Sequence, residues 1–520
     1  MVLSTALRPL IGIPLFLLVV CIKLVYSVGV SKSWNNPLSK IPGPAVARLT
    51  RLWLVQSLVT GKAVEDFRRL DREYGSVVRV GPKSLLISDP DVARKILSVG
   101  SRYTRGPFFD ALRLEPTRTN VISERDPKKH QLLRSILGAG IAVKGNPKLE
   151  VMMDEHIRHW IKMIDSNYIS HGDKTINFDL SRSIPFLNID FMSHLCLGKS
   201  FGCLEYDTDM FKFLHSIRTG MIAQQCMSIL SEITTFLHWL AGNSSLRKFM
   251  TVFPAVCHDE GIGRVMRVIH SAVTQREADR RNKIFRDDML DSLFDRGLTA
   301  DQALTELSVL LATNTDNGSS AVQAIIFAII TNPRVYMRLQ DEIDSLVARG
   351  EVSFPISNAL ARKLPYLQAC ISEGLRCYPP EMQLRERMAP PEGDFIGGYN
   401  IPGGTYVGFN AIALQHNKIY GEDTEVYRPE RWFDKDEERR KQMQRTLDLM
   451  FSHGSSKCLG LDIAYMEMNK LVVELFRHFD VAVANPSKPW KRLGRGSFYQ
   501  WEFFVRVERR TNFNAKNLRG

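Results

Sequence analysis

The pattern from Thr299 to Asn332 constrains the fold most. Apolar residues recur at three and four along it, Thr299 and Gln302 have capping-box spacing, and Asn332-Pro333 stops it. A helix of that length runs about 45 Å, enough to cross a whole domain. Its middle, Thr313-Asn314-Thr315-Asp316-Asn317-Gly318-Ser319-Ser320, is polar or small throughout and poor in helix propensity. Either two helices meet there in a loop, or one buried helix opens locally to line a polar cavity.

Most of the remainder also reads as helix: Ala63–Tyr74, Asp91–Val99, Lys128–Leu137, Leu149–Ile164 and Leu461–Phe479 carry the same period. Strand-like pieces are short, at Val77–Val80, Leu85–Ser88, Tyr406–Phe409 and Trp501–Val507. The class is mainly α with small β-sheets. No long linker divides the 520 residues, so a single domain is expected behind whatever the N-terminus does. A charged fraction of 24% and a hydrophobic fraction of 44% exclude a disordered chain.

Leu10 to Val30 is apolar except for Lys23, and twenty-one residues cover about 30 Å, one bilayer core. Lys32, Lys40, Arg48 and Arg51 follow and only Arg8 precedes, which puts the C-terminal side in the cytosol. A cleaved signal peptide is the competing reading. Val28-Gly29-Val30-Ser31 is a weak cleavage site, and the eight scattered cysteines include no C-x-x-C and demand no disulfide framework. The expected organisation is a membrane anchor at 1–31, a basic, Pro-rich linker at 32–48 and a catalytic domain at 49–520. Pro42-Gly43-Pro44 forms a stiff elbow within that linker. Asn243-Ser244-Ser245 matches a glycosylation acceptor that a cytosolic domain would not use. The net charge of +13 is dispersed and carries no nucleic-acid motif; a membrane surface or an acidic protein partner fits it as well, and so does a merely solvated surface.

Near the C-terminus stands Phe451-Ser452-His453-Gly454-Ser455-Ser456-Lys457-Cys458-Leu459-Gly460, directly before a helical pattern. A cysteine at a helix N-terminus is favoured as thiolate. Gly454 and Gly460 let the backbone approach something flat, and Phe451 can shield the sulfur. Phe-x-x-Gly-x-x-x-Cys-x-Gly resembles the haem-binding loop of the cytochrome P-450 monooxygenases. Other pieces follow in that family's order. Glu373-Gly374-Leu375-Arg376 resembles its Glu-x-x-Arg pair. The spacing also occurs by chance at five other places, but here Cys377-Tyr378-Pro379-Pro380 and Arg387 follow. Tyr427-Arg428-Pro429-Glu430-Arg431-Trp432 resembles the Pro-Glu-Arg-Phe segment. The resemblance covers essentially the whole chain and is closest to fungal microsomal members, the pisatin demethylase-like group.

That resemblance implies the cytochrome P-450 fold and haem b with Cys458 thiolate as the metal ligand. It implies O2 as co-substrate, with electrons from NADPH through NADPH-cytochrome P-450 reductase and cytochrome b5 as a second donor. Glu373, Arg376 and Arg431 would form a buried network that locks the haem loop. His130, Arg134 and Arg387 would contact haem propionates, with Phe451, Gly454, Ser456 and Gly460 completing the cofactor site. The implied place is the endoplasmic reticulum membrane, single-pass, with the catalytic domain cytosolic and no nucleic-acid partner.

Two departures stand out. The family's distal motif aligns with Thr313-Asn314-Thr315-Asp316-Asn317-Gly318. It keeps the acid at Asp316 but has Asn317 where an alcohol that helps deliver protons is expected. An amide relays a proton less easily than a hydroxyl, so Thr315 or an ordered water would have to substitute. Ser456 stands where the family has a cation against a propionate, and it brings no charge. Lys457 beside it is expected on the proximal surface, toward an acidic reductase. Substrate contacts are expected from Phe108, Phe109, Leu112, Leu311, Met382, Leu384 and Phe498, whose character implies an apolar ligand. The implied activity is insertion of one oxygen atom into a terpenoid, polyketide or alkaloid of fungal secondary metabolism. Asn317 keeps an oxygen-independent haem-thiolate isomerase or dehydratase open, and a haem-binding protein without turnover is a third class. Phosphate-loop, dinucleotide and Gly-x-Ser-x-Gly signatures are incomplete or missing.

Overall fold

The computed structural model describes residues 37–143, 146–171, 174–242, 259–286, 288–350 and 352–510. The apolar stretch at 10–30 and the acceptor at Asn243 lie outside the described residues. Among the described residues, no helix is long and apolar enough to cross a membrane.

Leaving single-turn helices aside, the chain runs through α1 (Leu52–Thr60), α2 (Ala63–Tyr74), α3 (Pro90–Leu97), α4 (Pro127–Gly140), α5 (Pro147–Asn167) and α6 (Leu180–Leu197). There follow α7 (Phe213–Ile229), α8 (Ser231–Gly242), α9 (Gly261–Arg281), α10 (Met289–Asp295), α11 (Ala300–Ile330) and α12 (Pro333–Ala348). The last are α13 (Pro365–Cys377), α14 (Glu437–Asp448) and α15 (Leu461–His478). The five helices read from periodicity coincide with α2, α3, α4, α5 and α15 to within a few residues. All three proline-led ones among them begin with Pro at the first turn, where its missing N–H costs nothing.

The largest sheet orders β1 (Val77–Gly81), β2 (Ser84–Ile87), β8 (Tyr406–Phe409), β5 (Arg387–Met388) and β3 (Thr104–Arg105), with only β2 and β8 parallel. A second sheet joins β4 (Asn177–Asp179), β12 (Phe504–Arg509) and β9 (Phe479–Val483). Two hairpins complete the set: β6 (Asp394–Ile396) with β7 (Tyr399–Ile401), and β10 (Lys491–Arg495) with β11 (Ser497–Trp501). The expected strand Trp501–Val507 is two strands. Glu502 turns the chain at φ 56° between them, and each joins a different sheet.

The long pattern resolves as the single helix of the second expectation, with its polar middle on a cavity but without the local opening. α11 is one unbroken α-helix from Ala300 to Ile330, capped by Thr299 and Gln302 as expected, and it neither breaks nor opens at its polar middle. The hydroxyls that would compete with the helix instead bond back onto it. Thr313 donates to Val309 O at 2.9 Å and Thr315 to Leu311 O at 2.8 Å. Packing against α6, α9, α13 and α15 overrides the poor local propensity.

The segment ahead of α1 is part of the body rather than a linker from residue 37 on. Leu38 and Ile41 are buried among Val77, Leu85, Ile87 and Val407. Arg79 N donates to Pro42 O at 2.8 Å, and a Cβ on Gly43 would sit 2.2 Å from Arg79 O. The elbow therefore needs glycine because it lies flat on β1.

Candidate active site

One cavity of about 470 Å³ collects the elements that the motifs singled out. Its wall includes α11 from Val309 to Ala321, the loop from Met450 to Gly460, α7, the segment from Arg105 to Ile122 and the stretch from Gln383 to Arg387 that leads into β5. Cys458 lies on this wall, and its exposed surface faces the cavity. Its backbone N–H donates to Phe451 O at 2.8 Å, closing the loop. Burial raises the thiol's pKa, while the Gly460 N–H and, more weakly, Arg134 and Arg385 favour thiolate. Phe451 lines the cavity with its ring 5.6 Å from Tyr465. Gly460 lines it as well, and a Cβ there would meet nothing within 4 Å. Gly454 has another reason to be glycine. It sits at φ 59°, and a Cβ would come within 2.2 Å of Leu97 O at the end of α3, so it locks the loop to α3 rather than opening the cavity.

A cluster of cations faces the same space. Arg105, Arg134, Arg385 and Arg387 line the cavity, and Phe109 lies between two of them, 4.7 Å from Arg105 and 4.9 Å from Arg387. No ion pair between described residues includes Arg105, Arg134 or Arg387. Burial and mutual repulsion push the Arg105 guanidinium down to about 10 and lower Arg387 as well. His130 is buried beside them with Nε2 unpartnered; burial and the same three arginines hold it at about 3, hence neutral. Arg134 Nη2 donates to Lys457 O at 2.6 Å, tying α4 to the cysteine loop. Ser456 and Lys457 also reach the wall, Lys457 with an exposed side chain. Between Arg385 and Arg387, Glu386 makes a buried ion pair at 2.6 Å with Arg51, ahead of α1. Buried cations without an anion mark a place for one. A flat group with two acid arms and an iron that accepts a thiolate satisfies both ends of this wall, so these residues fit haem.

On the long helix, Asp316 is buried. Its Oδ1 accepts from Arg218 Nε of α7 at 3.3 Å, and its Oδ2 has no partner. Burial raises its pKa and Arg218 partly opposes that. Asn314, Asp316 and Asn317 all line the cavity, and Asn314 Nδ2 and Asn317 Oδ1 are also unpartnered. Thr315 is fully buried, outside the cavity wall, with its hydroxyl on Leu311 O. The hydroxyl expected to substitute for Asn317 is thus turned away, because one residue of helix rotates a side chain by about 100°.

Among the expected substrate contacts, Phe109 and Leu112 line the cavity. Phe108, Met382, Leu384 and Phe498 belong to the same core cluster as these two but do not line the cavity, and Leu311 lies in the main core. Their apolarity serves packing. Ile217, Met221, Met227, Val309, Leu310 and Ala312 supply the apolar wall instead. Arg105, Arg218, Arg385 and Asn314 escaped the sequence reading. Asn314 had a signal, being part of the polar stretch, whereas Arg218 is one basic residue in a helix with no motif around it.

The Glu373 network is complete. Arg376 donates to Glu373 at 3.0 and 2.8 Å, Arg431 Nε at 2.7 Å, Trp432 Nε1 at 3.0 Å and Arg428 N at 3.0 Å. Arg376 also donates to the carbonyls of Gln415 and Thr424, and Arg431 to those of Tyr420, Asp423 and Val426. These donors hold Glu373 below the usual carboxylate range despite its burial. From there Gln415 donates to Thr446 O at 3.2 Å, and Tyr420 to Met443 O at 3.2 Å, reaching α14 just before the cysteine loop.

Comparison with known proteins places these features. The family model for cytochrome P450 matches residues 42–502. The cytochrome P450 monooxygenase aba1 of Botryotinia fuckeliana (strain B05.10) is 31% identical over 482 residues, covering 91% of this chain and 92% of that protein. ABA1 of Pyricularia oryzae (strain 70-15) is 32% identical over 486 residues, covering 91% and 93%. The cytochrome P450 monooxygenase cicH of Emericella nidulans is 28% identical over 484 residues, covering 91% and 94%.

Proposed function

The chain belongs to the cytochrome P450 family, among its monooxygenases, and from that premise we propose that it oxidises an apolar small molecule of fungal secondary metabolism. The reading takes haem b as the bound group and NADPH, through a membrane-bound reductase, as the electron source. It places the protein on the endoplasmic reticulum with residues 1–31 as anchor. The observation that carries it is the wall itself: Cys458 faces one cavity with Arg387, which is buried, and Arg105 and Arg134, which are half-buried, and among the described residues none of the three has a carboxylate partner.

When bound, haem supplies the redox chemistry of oxygen insertion. Cys458 would hold the iron, with Phe451 and the Gly460 N–H around the sulfur. Arg105, Arg134 and Arg387 would hold the acid arms, and His130 Nε2 is free to accept or donate one more hydrogen bond. Pairing would return the arginine pKa values toward normal, so cofactor binding relieves a strain that the protein carries without it. The apolar residues of α7 and α11 exclude water and orient the substrate. Asp316 stands at the cavity edge, its pKa raised by burial and partly lowered by Arg218, placed to exchange a proton with the cavity.

The reduced, carbon-monoxide-bound spectrum tests this. A strongly red-shifted Soret band, lost in Cys458→Ala, is expected; a haem band without the shift in the native chain overturns thiolate ligation. Asn317, with Thr315 turned away, favours a second reading, an oxygen-independent haem-thiolate isomerase or dehydratase. Product formation that needs neither O2 nor reductase would establish it.

A further inference from the structure

Asp316 carries an oxygen that nothing in the protein satisfies, and a buried hydroxyl in the same state belongs to the strand packed on this helix. Tyr499, in β11, is 6% exposed, and its Oη is buried without a partner. Among the charged groups around Tyr499, Asp316 acts on it most strongly, ahead of Arg218 and Arg495. The strand is fixed against this part of the long helix. Gln500 Nε2 donates to Ser320 Oγ at 2.9 Å, and Ser320 stands one turn beyond Asp316 on the same face. Leaving a buried donor and a buried acceptor unpaired is destabilising for each. A direct hydrogen bond, or one water between them, removes both costs.

We propose that Tyr499 is the hydroxyl partner of Asp316, joined to it directly or through one water, and that this pair supplies the hydroxyl that position 317 lacks. The inference rests on the reading that the cavity holds haem and consumes protons. One proton leaves the Asp316 carboxyl toward the cavity. The Tyr499 hydroxyl passes its proton to the Asp316 carboxylate and takes another from solvent on the side of Arg218 and Arg495. No electron moves in this relay, and both side chains end as they began. Tyr499 is a positioning residue, acting through Asp316.

A crystal structure of the haem-loaded protein is the first test. Tyr499 Oη within about 3.2 Å of Asp316 Oδ2, or both within that distance of one water, is expected; an Oη bonded elsewhere overturns the proposal. Tyr499→Phe keeps the ring and removes only the hydroxyl. Its melting temperature and carbon-monoxide band should match the native protein. In reductase-driven NADPH oxidation without added substrate, hydrogen peroxide per NADPH should rise severalfold and the solvent isotope effect should change. Asp316→Asn should move both readouts further. If Asp316→Asn moves them and Tyr499→Phe does not, or if neither does, the tyrosine has no such role. A native chain lacking the red-shifted band instead refutes the haem-thiolate reading, and the crystal positions still decide the tyrosine contact.

Discussion

Arg376 and Arg431 differ from Arg105 and Arg387 in what meets them. Arg105 is half-buried and the other three are buried. The first set meets two carboxylates, Glu373 and Asp423, and a shell of carbonyls, with Glu373 taking five nitrogen donors. The second has carbonyl partners but no carboxylate, and faces a cavity and other cations. Burial alone therefore does not distinguish a structural charge from a binding one; completion does. A finished network holds its own segment in place, whereas an unfinished one stores affinity for what finishes it.

Removing a partner from the finished network should have the largest effect. Glu373→Ala leaves the buried Arg376 without a carboxylate and Arg431 with Asp423 alone, and should cost about 3–5 kcal/mol, read as loss of folded holoprotein in thermal unfolding. Glu467 of α15 lies between the two cases. Its Oε1 accepts from Asn188 at 2.7 Å, while Oε2 has no partner and lies beside Gly318. Burial pushes this carboxyl from 4.5 up to about 7. Between those values the folded chain keeps a proton that the unfolded chain has lost. Stability therefore falls as pH rises through that window, and the full cost is present above it. Glu467→Gln should be more stable than the native chain by up to about 3 kcal/mol at pH 8 and nearly equal near pH 4.5, read from denaturant midpoints.

The unfinished cluster should respond in the opposite sense from the network. Arg387→Ala should leave the cofactor-free protein as stable or more so, because it deletes a cation without an anion. Haem affinity should fall by about ten- to a hundredfold, the loss of one charge-assisted contact, measured by transfer to a haem acceptor protein. The smallest effect belongs to Thr315→Val. Only a bond from a hydroxyl to its own helix is lost, so stability should shift by less than about 1 kcal/mol and the peroxide yield should stay put.

What the sequence made legible follows the same division. Amphipathic helices such as α2 and α5 announced themselves because half of each faces solvent. α6 did not: nearly every residue from Leu180 to Leu197 is buried, and Pro185 lies inside it, so no apolar stripe exists to read. The Glu373 network was legible because its members come in fixed local spacings. The cation cluster was only half legible, since Arg105 and Arg385 join it through tertiary placement alone. The substrate wall was least legible. Phe108 and Phe498 share the chemistry of Phe109, and only the turn of each side chain decides which one meets the cavity.

The pair between Arg51 and Glu386 has a mechanical meaning. From Pro37 on the chain lies against β1, and it then reaches Arg51, whose guanidinium grips the residue between two cavity arginines. Load on this segment is thus passed to the stretch that presents Arg385 and Arg387. Tension between Pro37 and Arg51 would be felt in the wall of the cavity.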